Sequence, residues 1–420
     1  MLQIIGLVVC FTFALWILQK QRLLNRVRYN GQYIFLSGTW YIFPFYLFAY
    51  MTAFPESNSV CTFTILLLFS LYCTVLKPFK SFCRNYNIWY VLLIFWYVVN
   101  LWRADNIIYG INQIVKLFLP VVVFLFAYKS YRERNSILYL FDCFSKSTWF
   151  FLFLCILSLV FGMSLIYSYY GMEVFVFPFI LYLMNKNKKY LVNMILCLSF
   201  CLIYIKRTCF IGIFAMLATF FIYKYKSKSI IPTIFLIIIS ISAIFFIPSI
   251  SQRLFYSTFD ISTLDLSIFY TGEVFEYIDT SGRNNMWTYI LESLFKNNEI
   301  CGIGPGSLKS WMSSSTTNDN FESFQRVHND WLQILIEGGY VAVFLLASMF
   351  VGLFVKSFRI YNNANNSLFL RNMALFTAMT GIATAIHMFF ENCMGCVGFC
   401  LPALSSAILF RTVELEKKCK

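Results

Sequence analysis

Apolar runs dominate the pattern of this chain. Hydrophobic stretches cover 2–18, 60–76, 88–102, 147–167 and 229–247, and others recur between them. Each approaches the roughly 20 residues that carry a helix across a bilayer core. A backbone in lipid must satisfy its own hydrogen bonds, so the spans are expected to be helices. The alternating dyad of a membrane β-barrel is absent. The pattern therefore predicts an all-α, polytopic helical membrane protein of about 12–13 transmembrane helices with one large extracytoplasmic loop containing short helices. Spans centre near Val9, Pro44, Leu68, Ile94, Val122, Ile156, Phe179, Leu196, Phe214, Ile237, Ala342, Ala378 and Leu404.

Residues 1–248 are expected to form a bundle of about ten helices, by the length a span needs. Residues 249–330 form the large outer loop, and 331–420 return to the same bundle. A connection of that length exceeds an ordinary linker. Within it, Met286, Trp287, Ile290, Leu291 and Leu294 recur at helical spacing, which predicts a short helix over 284–295 lying on the membrane surface or on the bundle. The next span is expected to start near His328. The run 2–18 has basic residues after it and none before it, and reads as an uncleaved first span.

Composition agrees with a membrane protein. The chain is 60% hydrophobic and 12% charged, about half the charged share of a soluble domain. The net charge of +14 raises the question of nucleic acid, but its distribution answers against it. Lysines and arginines sit in short clusters between spans, such as Lys20/Arg22/Arg26/Arg28, Lys129/Arg132/Arg134 and Lys224/Lys226/Lys228. Alternating the spans puts these clusters on one face, which the positive-inside rule assigns to the cytoplasm. Contact with anionic membrane lipids follows, and no nucleic-acid partner. The loop on the other face carries ten acids against five bases. Most of the 14 cysteines lie in apolar spans, where cysteine serves as a small hydrophobe. Cys393 and Cys396 form a C-x-x-C without a second ligand pair, so no metal is expected.

The polar island 281–339 is where chemistry is expected. Arg283 precedes the predicted helix and suits paired hydrogen bonds to a phosphate, or to one of the nearby acids. The turn Gly302-Ile303-Gly304-Pro305-Gly306 could offer backbone N–H groups to an anion or serve only as a tight turn; its spacing is not that of a P-loop. His328 is one of two histidines in the chain. At the mouth of a span it could take a proton from a hydroxyl, or cap the helix. Arg326 and Asn329 flank it. Glu337 is expected at membrane depth with a partner.

Candidates also lie outside the island. Lys206-Arg207 interrupts an apolar run on the outer face, against the charge trend; a bound phosphate or snorkelling would account for it. His387 and Glu391, four apart on a helix, could form a structural pair or line one cavity. Arg103 sits at another outer mouth. Trp287 could stack on a sugar or anchor at the interface.

The order of these pieces resembles the O-antigen ligase and polymerase family of bacterial surface-polysaccharide enzymes. The residues carrying the resemblance are Gly282-Arg283 with Trp287, then Gly302–Gly306, then His328-Asn329-Asp330-Trp331-Leu332-Gln333 with Glu337-Gly338. Arg207 is similar to the arginine of a serine–arginine pair in that family, with Lys206 in place of the serine. The resemblance implies a glycosyltransferase of the bacterial inner membrane, multi-pass and with its site facing the periplasm. It would use no metal or cofactor. The donor would be an oligosaccharide on undecaprenyl diphosphate. Arg207 and Arg283 would hold the diphosphate, and His328 would activate the acceptor hydroxyl. Arg326, Lys206, Gly304, Gly306, Asn329, Trp287, Glu391 and Arg103 are the expected substrate-binding positions.

The activity implied is O-antigen polymerisation in lipopolysaccharide biosynthesis, with a chain-length regulator protein as a further partner. A ligase transferring the glycan to lipid A–core shares the motif. The Phe-, Ile-, Tyr-, Asn- and Lys-rich composition resembles that of low-GC surface-glycan clusters and tips the expectation toward the polymerase. A flippase is the rival from another class. It would want ionisable groups at mid-membrane and repeated halves; the notable groups gather at the outer mouth instead, and no repeat is visible in the sequence.

Overall fold

In the computed structural model, residues 25–36, 82–83, 85–131, 133–161, 170–204, 207–229, 231, 234, 283–314, 327–394 and 397–419 are described. The spans expected near Val9, Pro44, Leu68 and Ile237 lie outside these residues, as do 249–282 and 315–326 of the expected loop.

The remaining expected spans are helices. They are α1 (Asn87–Val99), α2 (Ile107–Ser130), α3 (Arg134–Phe161), α4 (Tyr170–Asn185), α5 (Lys188–Tyr204) and α6 (Arg207–Tyr225). After the loop helices α7 (Arg283–Ile290) and α8 (Ser307–Ser314) come α9 (Asp330–Asn362), α10 (Leu368–Phe390) and α11 (Val397–Cys419). Four of these, α2, α6, α9 and α10, are long and apolar enough to cross a membrane. The chain is an all-α polytopic membrane protein, with one exception among the described residues.

That exception corrects the reading of 25–36 as a plain basic connection. Strands β1 (Asn25–Tyr29) and β2 (Gln32–Leu36) form an antiparallel hairpin in the register Tyr29↔Gln32. The cause is local. Asn30 and Gly31 both take positive φ, 48° and 79°, and Asn-Gly is the pair that tight two-residue hairpin turns favour. The hairpin sits against α3. Tyr29 meets Tyr139 edge-on, and Asn135 donates to the Gln32 side chain at 2.6 Å.

Helix α10 is the hub of the bundle, packing on α9, α6, α11 and α4. Its residues are buried almost all round, as expected of a helix without a polar face. Aromatic rings knit it to its neighbours. Phe376 lies 4.6 Å from Phe141 of α3 and 5.1 Å from Phe177 of α4, ring centre to ring centre. Such pairs add roughly 0.5–1.5 kcal/mol each beyond their buried area.

The two ends of the bundle differ in chemistry. At one end Asp142 receives Lys146 at 2.7 Å and Lys189 at 3.7 Å, among exposed lysines of the α4–α5 turn. The other end gathers the end of α1, the starts of α2, α4 and α9, the end of α10, and the loop helices. The candidate residues with described side chains meet at this second end.

Candidate functional site at the loop end of the bundle

The loop folds onto the bundle through a small core of its own. Met286, Ile290, Phe295 and Leu308 pack with Val327, Leu332 and Ile336. The predicted amphipathic helix is α7 with a π turn, Leu291–Phe295, behind it. Of the two placements expected for it, the structure supports the one on the bundle. The reason is the apolar stripe, which has the first turns of α9 to bury against.

The glycine turn is the hinge of this arrangement. Ile303 N–H donates to Ile336 O at 2.9 Å, and Gly304 N–H to Glu337 O at 3.0 Å. Two of the turn's N–H groups are taken by backbone carbonyls of α9. The Glu337 carboxylate accepts from Gln333 at 3.2 Å. Gln333 is thus the partner expected for Glu337. Gly302, Gly304 and Gly306 all take positive φ, and a Cβ on Gly304 or Gly306 would lie 2.4–2.8 Å from the backbone of Arg103–Ala104 or Tyr109–Gly110. The turn thus locks three elements together by backbone approach. At Gly339 (φ 69°, ψ −171°) α9 breaks, so Asp330–Gly338 is a separate short helix ahead of the long span. Gly339 can take this conformation because it has no Cβ.

His328 stands at the start of that short helix. Its φ of 51° lies in the left-handed region, where histidine is among the better tolerated residues. Both flanks are pinned. Trp287 Nε1 donates to Val327 O at 2.8 Å, and Asn329 caps α9 by accepting Leu332 N–H at 3.0 Å. The imidazole is 34% exposed, and its Nδ1 lies 2.8 Å from Glu391 Oε2. Behind them Asp330, fully buried, accepts the N–H groups of Cys393 and Met394 at 2.5 and 2.7 Å. Trp331 Nε1 donates to Ala385 O at 3.0 Å, so α9 and α10 are stitched at their mouths.

The expected grouping of His387 with Glu391 is corrected here. Helix α10 ends at Phe390, and Glu391 is extended (φ −151°, ψ 171°). The four-residue rule requires helix at both positions, so the two side chains part. Glu391 turns to His328. His387, 2% exposed, faces Glu173 of α4 at 3.4 Å. Glu173 was missed in the sequence. Its signal was a lone acid in the apolar run 170–185, where an ionisable group calls for a stated partner.

The other expected positions are distributed as follows. Arg103 bonds Asn298 Oδ1 at 2.8 Å with its guanidinium 5.6 Å from the Trp102 ring centre, beside the glycine turn. Arg207 is the first residue of α6 and Arg283 the first of α7. Lys206 and Arg326 lie outside the described residues. Among the described residues no three His, Cys, Asp or Glu side chains group as metal ligands.

A family model described as O-antigen ligase matches residues 192–347. The match encloses Arg207, Arg283 and His328 and stops short of Glu391. No curated protein matches the chain.

Proposed function

We propose, from the match of residues 192–347 to an O-antigen ligase family model, that this protein is a surface-polysaccharide polymerase. It joins oligosaccharide repeat units carried on undecaprenyl diphosphate. The observation that carries the reading is His328, half-exposed at the mouth between α9 and α10 inside the matched stretch.

In this reading the loop end faces the periplasm, and the basic end faces the cytoplasm, as the charge bias favours. His328 takes the proton of the acceptor hydroxyl. The freed oxygen attacks the anomeric carbon of the donor sugar from the side opposite the diphosphate. The carbon–oxygen bond to the diphosphate breaks, and the leaving group departs with the electron pair. One displacement inverts the anomeric centre. Arg207 and Arg283 hold the diphosphate, each at a helix N-terminus whose dipole also favours an anion. Charge stabilisation of this kind is often the largest single contribution to the rate. The lipid diphosphate is itself the energy source, so the reaction draws on no nucleotide.

The ligase reading, transfer of the glycan to lipid A–core, has in its favour the description of the matching family. Deleting the gene separates the two. Cores bearing a single repeat unit support the polymerase. Bare cores with lipid-linked polymer accumulating overturn it in favour of the ligase.

A further inference from the structure

We infer that Glu391 is a positioning residue that fixes the tautomer of His328, and that Asp330 holds Glu391 in place. The inference deepens the proposed role of His328 as base and rests on it.

The geometry has three links. First, Glu391 Oε2 lies 2.8 Å from Nδ1 of His328, a full hydrogen bond. An ionised carboxylate can only accept, so Nδ1 carries the proton and Nε2 keeps its lone pair. Among the described residues Nε2 has no protein hydrogen bond, and the ring is twice as exposed as the carboxylate behind it, 34% against 17%. The nitrogen able to act as base is the one left open to an acceptor. Second, Glu391 could not reach His328 if α10 ran on. The helix stops at Phe390, and the chain turns extended. Third, that extended segment is fastened two and three residues later, where Cys393 and Met394 donate their N–H groups to one oxygen of Asp330. Asp330 is two residues from His328 and opens α9. Base, carboxylate and clamp therefore form a closed loop through α9 and the end of α10.

The carboxylate also faces the imidazolium that forms when Nε2 takes the acceptor's proton, so charge separates over one hydrogen bond instead of into the apolar wall. The same division of labour, base in front and carboxylate behind, operates in hydrolase triads. The dyad lies across a boundary of the family match, since Glu391 falls outside 192–347.

The test is nitrogen NMR on protein labelled with 15N-histidine in lipid nanodiscs, at a mildly alkaline pH. The chain has only two histidines, and His328→Asn assigns the signal. The expected spectrum shows His328 protonated on Nδ1 with Nε2 bare, and reverting toward the Nε2–H form in Glu391→Ala. In parallel, turnover is measured with a purified lipid-linked repeat unit. Glu391→Ala lowers kcat on the order of 100-fold with the donor KM unchanged. Glu391→Gln, which keeps an acceptor oxygen, retains the Nδ1–H form and recovers part of the rate. An Nε2–H signal in the unaltered protein, with His328→Ala inactive, overturns the inference alone. So does full turnover in Glu391→Ala alongside an inactive His328→Ala. Full turnover in His328→Ala overturns the base assignment itself and the catalytic part of this inference with it.

Discussion

Asp330 accepts the backbone N–H of Cys393 at 2.5 Å across 63 residues of sequence, in a fully buried setting. The same oxygen takes the N–H of Met394. Removing the carboxylate strands two buried donors, each costing about 1–3 kcal/mol. Asp330→Ala is therefore expected to lower the melting temperature in detergent and to reduce turnover together. Asp330→Asn still offers an accepting oxygen and keeps most of both. Equal damage from the two substitutions would show that the negative charge, and not the clamp, is what matters.

Gly339 and Gly31 make a matched pair of tests, since both take positive φ. A Cβ on Gly339 would sit 2.1 Å from Ile300 O, whereas one on Gly31 meets nothing within 4 Å. Gly31→Ala bears only the conformational penalty, on the order of 1 kcal/mol. Gly339→Ala adds a backbone collision and must displace the turn that docks on α9. The expected outcome is near-normal accumulation for the first and sharply reduced accumulation for the second, read by membrane immunoblot.

The buried contact between Glu173 and His387 ties α4 to α10 at 3.4 Å. Truncating either side chain removes the contact that joins the two helices, and a loss of about 1–3 kcal/mol is expected for a buried polar contact. Replacing both, Glu173→Met with His387→Leu, is expected to cost less than the sum of the single changes. A double-mutant cycle on thermal denaturation measures the difference, and additive losses would show that the two side chains do not depend on each other.

Orientation has its own test. Alkaline phosphatase inserted at the exposed Asn297 of the loop end is expected to be active, and inserted at the exposed Lys188 of the basic end, inactive. Phosphatase folds only outside the cytoplasm, so the reverse pattern would invert the topology proposed for the site.

Much of this architecture was legible in the sequence, for identifiable reasons. Helices such as α2, α9 and α10 are long and uniformly apolar, and length against bilayer thickness reads them directly. The candidate site stood out by rarity, because His328 stands in a polar island of a lipid-soluble chain. What stayed hidden depends on where backbone conformation changes. Asn30-Gly31 carried a hairpin signal, but the lysines and arginines around it read as topology first. The four-residue spacing of His387 and Glu391 assumed a helix that ends one residue too soon. The glycine turn looked open to an outside anion because nothing in its own residues reveals that backbone carbonyls of α9 take two of its N–H groups. Glu173 could be seen as a lone acid, but its partner lies over 200 residues away.

The most direct test of the central claim is polymer synthesis by purified His328→Ala protein in nanodiscs supplied with a lipid-linked repeat unit. Loss of the base is expected to slow chain growth by about 10²–10⁴-fold, with folding and donor binding retained. Arg283→Ala is expected to stall at the same step. Chain-length ladders indistinguishable from those of the unaltered protein in both variants would contradict the assignment of this end of the bundle as the place where the glycosidic bond is made.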